Sequence, residues 1–449
     1  MEELREPDAH PRDGLKRELG LTDATFLVVS GVIGSGIFLT PGAIADLLPR
    51  PSLILAAWAV GGGLSLAGAF ANAELGAMFP RAGGDYVYLR EAFHPAAGFL
   101  VGWLSFFVIY AGTIATLAAG FAAGLAQFVP LGPRQQIWLA ALLTVAASAL
   151  NYVGVRWGAR ANNLTASVKV GALVGFALLA PVFGEGDLGN LSPAPGNAPE
   201  ISPFAFGLAL SPVLFSYLGW NSSVYVASEI RDPNRTLPRS LLLGVGICTL
   251  VYLLMNLVYL YAVPIGELRG APNAGEAAAR AMFGGLGAAL VGGFVLISIL
   301  GTLNATVLVG PRIAYAMALD GLFFAGVDRA HVNFRTPSVA IVLQALVAVG
   351  ILFALGTFER ALDYTVFAIL LATMADIAAL YRLRRTQPKR NRPYRAWGHP
   401  WVPGLYLGAT GAIAVALLIG SPGDCAIGLA MAAAGLPFYW YFSRTPPPL

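Results

Sequence analysis

Residues 31–38 read Gly-Val-Ile-Gly-Ser-Gly-Ile-Phe and lie inside an apolar run from about residue 21 to residue 48. Three glycines within six residues disfavour a continuous helix, because each costs about 1 kcal/mol relative to alanine. In lipid such a break is tolerated only where it is buried in protein or lines a cavity. One half-helix then offers free N–H groups to an anion, and the other offers free carbonyls to a cation. The alternative interpretation is a flexible or closely packed glycine patch.

The composition excludes an ordinary soluble protein. The 449 residues are 57% hydrophobic and 12% charged, with a mean hydropathy of +0.69, which is typical of polytopic membrane proteins. The basic residues lie in short loops between apolar runs, so the pI near 9.1 indicates membrane topology and not nucleic acid binding. The four histidines fall in tails or loops and the two cysteines in or near apolar runs. We therefore expect no metal site, no cofactor and no disulfide framework.

Apolar runs predict twelve transmembrane helices, at about residues 21–48, 52–79, 95–128, 135–155, 161–184, 203–230, 238–263, 284–318, 336–356, 361–382, 402–420 and 424–443. Placing the N-terminus in the cytoplasm puts most Lys and Arg residues on that side, and the bias alternates loop by loop. We therefore expect a multi-pass protein of the cytoplasmic membrane with both termini inside. Its cytoplasmic parts are a tail at 1–20, a basic loop at 384–401 and a tail at 444–449, and its last two spans occupy 402–443.

An internal repeat is predicted by the connector at 185–202, which is rich in Pro, Gly and Asn and has no Lys or Arg. It separates two five-span halves, 21–184 and 203–383, and an odd number of spans inverts the second half relative to the first. The second half also opens on an interrupted span, with Ser-Pro at 211–212 and Ser-Tyr-Leu-Gly-Trp-Asn-Ser-Ser at 216–223. Breaks at matching positions of two inverted halves are typical of inverted-repeat transporters.

Several motifs together resemble one family. Gly-Ser-Gly-Ile-Phe at 34–38 is followed by Ala-Glu-Leu-Gly at 73–76 and Phe-Pro-Arg-Ala-Gly-Gly-Asp-Tyr at 79–86. Further short motifs lie at 98–103, 151–156, 219–221, 229–233, 236–239, 301–304 and 336–337. From about residue 20 to 383 the chain resembles the amino acid–polyamine–organocation superfamily, and within it most the L-type amino acid transporter branch and its bacterial relatives.

The resemblance implies an all-α, leucine-transporter-like fold of two inverted five-helix repeats, with broken first and sixth helices that hold the substrate between them at mid-membrane. It implies that backbone amides bind the substrate carboxylate and that the carbonyls of Val32, Phe215 and Leu218 take its ammonium. Phe215 would cover the substrate, while Trp220 and Asn221 would shape the unwound sixth segment. The substrate-binding residues implied in this way are Val32, Ile33, Gly34, Ser35, Gly36, Ile37, Tyr110, Phe215, Leu218, Trp220, Asn221, Ser298 and Thr302, with the amides being those of Ser35, Gly36 and Ile37.

Two residues refine this picture. L-type members often have Gly at the place of Leu218, so the larger side chain favours small or medium neutral amino acids. Lys169 is placed within a span, where sodium-coupled relatives of this kind bind Na⁺. The hypothesis is that its ammonium replaces that cation and links the first half-helix to the fifth span during gating, together with Phe215 and Asn221. The alternative is a lysine that extends to the membrane interface.

Three acids lie near the membrane. Glu74 and Glu229 are expected to form ion pairs with the nearby Arg81 and Arg231, and the alternative is that they carry protons. Asp376 is a further candidate proton site. The predicted function is sodium-independent exchange of neutral L-amino acids by alternating access. A proton-coupled symporter is the alternative, and cationic amino acids or polyamines are disfavoured because the two broken spans carry no acid in their central parts.

An enzyme is disfavoured because no span contains His, which leaves no buried base or metal ligand of that type.

The loop at 129–136 lacks Cys, whereas in heteromeric relatives a Cys there joins a glycoprotein. We therefore expect no disulfide-linked heavy subunit and a chain that works alone. Anionic lipid is a plausible contact of the basic run from Arg382 to Arg395, which is chiefly an orientation signal.

Overall fold

A computed structural model describes residues 12–192, 202–355, 358–420 and 422–444. Within these ranges the chain is built of helices, and the only β-type pairs are isolated bridges. Parts of the predicted tails and of the connector, at residues 1–11, 193–201 and 445–449, lie outside the described residues.

Within the described residues, the first half of the chain contains nine α-helices. They are α1 (Leu21–Val32), α2 (Gly36–Leu39), α3 (Pro41–Leu47), α4 (Pro51–Met78), α5 (Asp85–Ala92), α6 (Pro95–Leu104), α7 (Ala111–Leu125), α8 (Pro133–Tyr152) and α9 (Val155–Phe183). A π-helical segment, Ser105–Tyr110, joins α6 to α7.

The second half contains ten more. They are α10 (Pro203–Tyr217), α11 (Pro233–Ala262), α12 (Ile265–Leu268), α13 (Ala274–Val309), α14 (Pro311–Leu319), α15 (Ser338–Leu355), α16 (Phe358–Thr386), α17 (Trp401–Gly420), α18 (Pro422–Ala433) and α19 (Gly435–Arg444). Short 3₁₀ segments occupy Leu188–Leu191, Ser222–Tyr225 and Ala227–Glu229.

Many helix starts follow from local sequence. Proline stands at the first position of α3, α4, α6, α8, α10, α11 and α14, where its missing N–H costs nothing and its fixed φ suits a helix. Before α1, the Asp23 carboxylate accepts a hydrogen bond of 2.7 Å from the Gly20 N–H, and before α10 the Ser202 hydroxyl accepts one of 3.2 Å from the Ala205 N–H. Such caps satisfy N–H groups that have no partner inside the helix.

Nine helical stretches in the described part of the chain are long and apolar enough to cross a membrane. The remaining predicted spans correspond to α8, α10 and α15, of which α10 and α15 are shorter apolar helices. Leu142, Leu250, Leu286 and Leu346 point outward and are more than 60% exposed, as expected for side chains that face lipid. The chain is therefore a multi-pass membrane protein.

Two predicted span boundaries were wrong. The fifth span was expected from residue 161, but α9 begins at Val155, directly after Gly154 with its positive φ of 143°. The eighth was expected from residue 284, but α13 begins at Ala274 and bends at Gly284, where φ is 68°. In each case the helix continues through polar or glycine-rich residues that a hydropathy pattern places in a loop.

The broken helices lie at the centre of the molecule. α1 packs against α9, α11 and α13, and α10 packs against α2, α3 and α4. The side chains of Val28, Val29, Ile33 and Phe38 are fully or almost fully buried. Both breaks are therefore surrounded by protein, as the cost of unpaired backbone groups in lipid requires.

Candidate functional site

The two helix breaks contact each other through backbone. Gly219 has a φ of +94°, a left-handed conformation that glycine adopts without steric cost. A β-carbon there would lie 2.6 Å from the Gly31 carbonyl oxygen, and one on Gly31 would lie 2.5 Å from the Ser222 hydroxyl. The glycines that predicted a break are thus also the residues that let the two breaks approach.

The first break leaves backbone donors free. Gly34 N–H donates to the Val32 carbonyl, and the N–H groups of Phe38 and Leu39 donate to the Ser35 carbonyl. Within the described part of the chain, the N–H groups of Ser35, Gly36 and Ile37 donate no hydrogen bond. These are the amides expected from the resemblance to meet a carboxylate, and their arrangement at a helix start suits an anion.

Tyr252 contacts both breaks and was not predicted as a site residue. Its hydroxyl lies 2.8 Å from the Val32 carbonyl oxygen and 2.9 Å from the Ser216 carbonyl oxygen. The Val32 carbonyl, expected to take the substrate ammonium, therefore already faces the Tyr252 hydroxyl and the Gly34 N–H. A tyrosine in an apolar span looks like a core residue, so no sequence signal distinguishes it.

Lys169 is fully buried and reaches the end of the first half-helix. Its ammonium donates to the Ile33 carbonyl at 2.8 Å and to the Thr302 hydroxyl at 2.9 Å. The Ser30 carbonyl lies at 3.5 Å. The side chain thus connects α9 to α1 and α13 and does not extend to an interface, so the interpretation of a snorkelling lysine was wrong.

A cavity of about 170 Å³ lies between the two breaks. Nine of the thirteen predicted substrate-binding residues line it: Val32, Gly34, Ser35, Gly36, Tyr110, Phe215, Leu218, Asn221 and Thr302. Other lining residues that the sequence did not indicate include Asp85, Thr116, Ser216, Tyr225 and Thr373.

The other four predicted residues do not line this cavity. Ser298 lies behind the break, with its hydroxyl 3.2 Å from the Ile33 carbonyl oxygen. Trp220 packs away from the cavity, with its ring 6.0 Å from that of Tyr406. The Ile33 and Ile37 side chains are fully buried, so these two residues offer the cavity backbone groups at most.

Polar side chains extend the site towards α5. The Asn221 amide donates to the Tyr225 hydroxyl at 3.1 Å, and that hydroxyl donates to the Asp85 carboxylate at 2.5 Å. The ring of Tyr110 lies against that of Tyr225 at 5.4 Å. Burial raises the pKa of Asp85, because a charged carboxylate is poorly solvated there.

Two buried acids are ion-paired, but the predicted partners were wrong. The Glu229 carboxylate accepts hydrogen bonds from Arg312 at 2.7 and 3.0 Å. The Glu74 carboxylate accepts them from Arg384 and Arg392. These arginines lie more than 80 positions away in the chain, and proximity in sequence cannot reveal such contacts.

A second cavity, of about 770 Å³, adjoins the first. The two share Ser35, Thr116 and Leu117 in their linings. The larger cavity continues past Gln127 and Pro133 to Asn273 in the loops between helices.

The cavity between the breaks offers backbone amides, carbonyls and hydroxyls, with Asp85 as its ionisable acid. The described residues hold no cluster of His, Cys, Asp and Glu that could bind a metal ion. Fold and site define a polytopic membrane protein with a cavity between two broken helices, an arrangement that secondary transporters also have.

Sequence comparisons then identify the family. The model of the amino acid permease family matches residues 19–440. The chain is 31% identical to the serine/threonine exchanger SteT of Bacillus subtilis, over 96% of this chain and 98% of that protein. It is 30% identical to the human large neutral amino acids transporter small subunit 2, over 97% and 83%. It is 28% identical to the human Asc-type amino acid transporter 1, over 97% and 84%.

The chain belongs to the amino acid permease family of the amino acid–polyamine–organocation superfamily. It is therefore an amino acid transporter and not an enzyme.

Proposed function

We propose that this transporter exchanges small or medium neutral L-amino acids across the cytoplasmic membrane, independently of sodium, by alternating access. The observation that carries the proposal is the pair of helix breaks that face one cavity. On one side the amides of Ser35, Gly36 and Ile37 donate no hydrogen bond within the described part of the chain, and they suit a carboxylate. On the other side Phe215 and Leu218 line the cavity, and their carbonyls suit an ammonium.

The proposed architecture has twelve spans in a leucine-transporter-like fold. Residues 21–184 and 203–383 form the inverted halves, 185–202 connect them outside, and 402–443 add two spans. The tails at 1–20 and 444–449 and the basic loop at 384–401 lie in the cytoplasm. Supporting this arrangement, α1 and α10 are each interrupted near the start of a half. In this topology the second cavity reaches the outer loops and gives the site a path to the exterior.

The proposed substrates follow from the site and the relatives. Leu218 lines the cavity, and its side chain takes space that a larger substrate would need. A relative that matches nearly the full chain is described as a serine/threonine exchanger. We therefore propose L-serine, L-threonine and neutral amino acids of similar size as substrates.

Gating is assigned to Lys169, Phe215 and Asn221. Lys169 lies on α9 and donates hydrogen bonds to the end of the first half-helix and to α13. A movement of the half-helix or of α13 relative to α9 must therefore change the hydrogen bonds of Lys169. Phe215 and Asn221 lie on the opposite break and line the cavity.

Neither Cys248 nor Cys425 is at the surface, so we propose that the chain works as a monomer without a disulfide-linked heavy subunit.

Uptake of radiolabelled L-serine into proteoliposomes tests the function. Vesicles preloaded with unlabelled L-serine are expected to take up label in choline buffer, and empty vesicles are expected not to. Uptake into empty vesicles that requires an inward proton gradient would instead establish a symporter. Uptake of neutral amino acids under neither condition would refute the proposal.

A further inference from the structure

Asp85 and Asp376 bring two buried carboxyl groups together from distant parts of the chain. Asp85 is the first residue of α5, and Asp376 lies in α16. They are 1% and 0% exposed, respectively, and their side chains interact with each other. Nothing in the sequence links the two positions, which are brought together by the packing of α16 against α5.

Among the residues that the structure describes, the surroundings of the pair contain polar groups but no cation. Asn72 is fully buried on α4, and its side chain interacts with Asp376. Four tyrosines surround the carboxyl groups from other elements: Tyr88 on α5, Tyr110 in the π-helical segment, Tyr225 beyond the second break and Tyr406 on α17.

Two arginines near the end of α16 are engaged elsewhere. Arg382 donates to the Ala92 carbonyl and Arg384 to Glu74. Within the described residues neither aspartate forms a salt bridge with Lys, Arg or His. Two carboxylates that face each other without a compensating cation cannot both ionise at low cost, so such a pair retains a proton between them.

The pair is connected to the cavity between the helix breaks. Asp85 itself lines that cavity, which gives the proton a route to water. Asp85 also accepts the hydrogen bond from Tyr225, which in turn accepts one from Asn221 in the unwound segment. A charge change on Asp85 therefore acts on a residue that faces the substrate.

We propose that Asp85 and Asp376 form a proton-binding site that holds one proton between their carboxyl groups and is linked to amino acid binding through Tyr225 and Asn221. This inference rests on the proposed function and adds a proton as a second ligand. With the proton in place, the two carboxyl groups share a hydrogen bond and Asp85 stays in position for Tyr225. When the proton leaves, the carboxylates repel each other, and the Tyr225–Asn221 connection loosens. Substrate affinity falls as the pH rises.

The test measures the KM for L-serine exchange in choline buffer at a series of pH values. For the wild type, the KM is expected to rise by at least about fivefold from the protonated to the deprotonated form, the lower end of typical coupling between two sites. Asp376→Asn and Asp85→Asn each supply an amide donor that cannot lose its proton, so their KM is expected to be flat across the series. Asp46→Asn changes a half-exposed carboxylate that pairs with Arg269 and is expected to keep the wild-type profile.

A wild-type KM that is independent of pH, or aspartate variants with the wild-type profile, would overturn the proton site. Wild-type protein that exchanges no neutral amino acid at any pH would refute the proposed function itself. If both variants fail to fold, the proton site is tested on the wild-type protein by proton uptake. L-serine is added to the weakly buffered protein in detergent, and the pH is recorded. A proton uptake supports the site, and an unchanged pH overturns it.

Discussion

At the scale of single residues, two side chains hold the unwound segments where the glycines alone would leave them loose. Lys169 satisfies the carbonyl of Ile33 at the end of α1, and Tyr252 faces carbonyls of both breaks. Both side chains are fully buried. An unpaired carbonyl in such surroundings is costly, so each of these residues is expected to contribute to the shape of the site.

Replacement of the buried lysine tests its role in gating. Lys169→Ala removes a charged donor from the Ile33 carbonyl and the Thr302 hydroxyl. Hydrogen bonds of charged groups contribute about 1.5–3 kcal/mol, so L-serine exchange is expected to fall by at least about tenfold. Lys16→Ala, at a side chain that is 68% exposed, is the matched control. Exchange by Lys169→Ala at the wild-type rate would remove Lys169 from the gating mechanism.

The role of the Tyr252 hydroxyl can be tested by a substitution that removes only its oxygen atom. Tyr252→Phe removes the hydroxyl shared between the Val32 and Ser216 carbonyls, at a cost of about 1 kcal/mol. We expect a rise of roughly fivefold in the KM for L-serine. Tyr259→Phe is the control, because its hydroxyl is buried on the same helix and has no hydrogen-bond partner among the residues that the structure describes. An equal effect of both substitutions would show that Tyr252 acts only through packing.

At the scale of helices, the breaks were accessible to sequence analysis because glycine, proline and polar residues are conspicuous in an apolar run. The interruption between Val32 and Gly36 is confirmed. The Ser-Pro at 211–212 does not interrupt the second span, because α10 continues through Pro212 and ends at Tyr217, within the predicted motif at 216–223. The start of α13 could not be predicted from the sequence. The helix only bends at Gly284, but a glycine at that place is also typical of a helix boundary. Local patterns thus revealed where helices break better than where they begin.

The contact between the breaks is a property of both helices and can be tested at Gly219. Gly219→Ala combines a positive φ, which costs about 1–2 kcal/mol in a left-handed backbone, with a β-carbon 2.6 Å from the Gly31 carbonyl oxygen. The breaks must separate, and we expect at least about a tenfold loss of exchange. Gly246→Ala lies in α11, where a β-carbon would meet no atom within 4 Å, and is expected to retain exchange. Normal exchange by Gly219→Ala would show that the breaks need not touch.

At the scale of the whole molecule, the contacts that organise the site join residues far apart in the chain. Asp85 meets Asp376, Glu229 meets Arg312, and Lys169 meets the ends of α1 and α13. Composition and hydropathy indicated how many spans to expect and where they break. They carry no information on which buried polar groups face each other, because that depends on how the helices pack. This is why nine of the predicted residues line the cavity, while its extension to Asp85 was not predicted.

One buried acid contacts both the end of α16 and the basic segment that follows it. Glu74, near the end of α4, accepts hydrogen bonds from Arg384, Arg392 and the Ala396 N–H. Arg392 is itself almost completely buried. Removing one partner of a buried ion pair leaves the other charge uncompensated and costs about 3 kcal/mol or more.

Glu74→Gln is therefore expected to lower the Tm of the detergent-solubilised protein, measured by the loss of the monodisperse peak after heating. Glu276→Gln removes the carboxylate of an exposed pair with Arg280, four residues further along α13. Such surface pairs contribute at most about 1 kcal/mol, so this variant is expected to melt close to the wild type. Equal melting of both variants would mean that the arginines find other acceptors, and Glu74 would then not anchor the segment that joins α16 to α17.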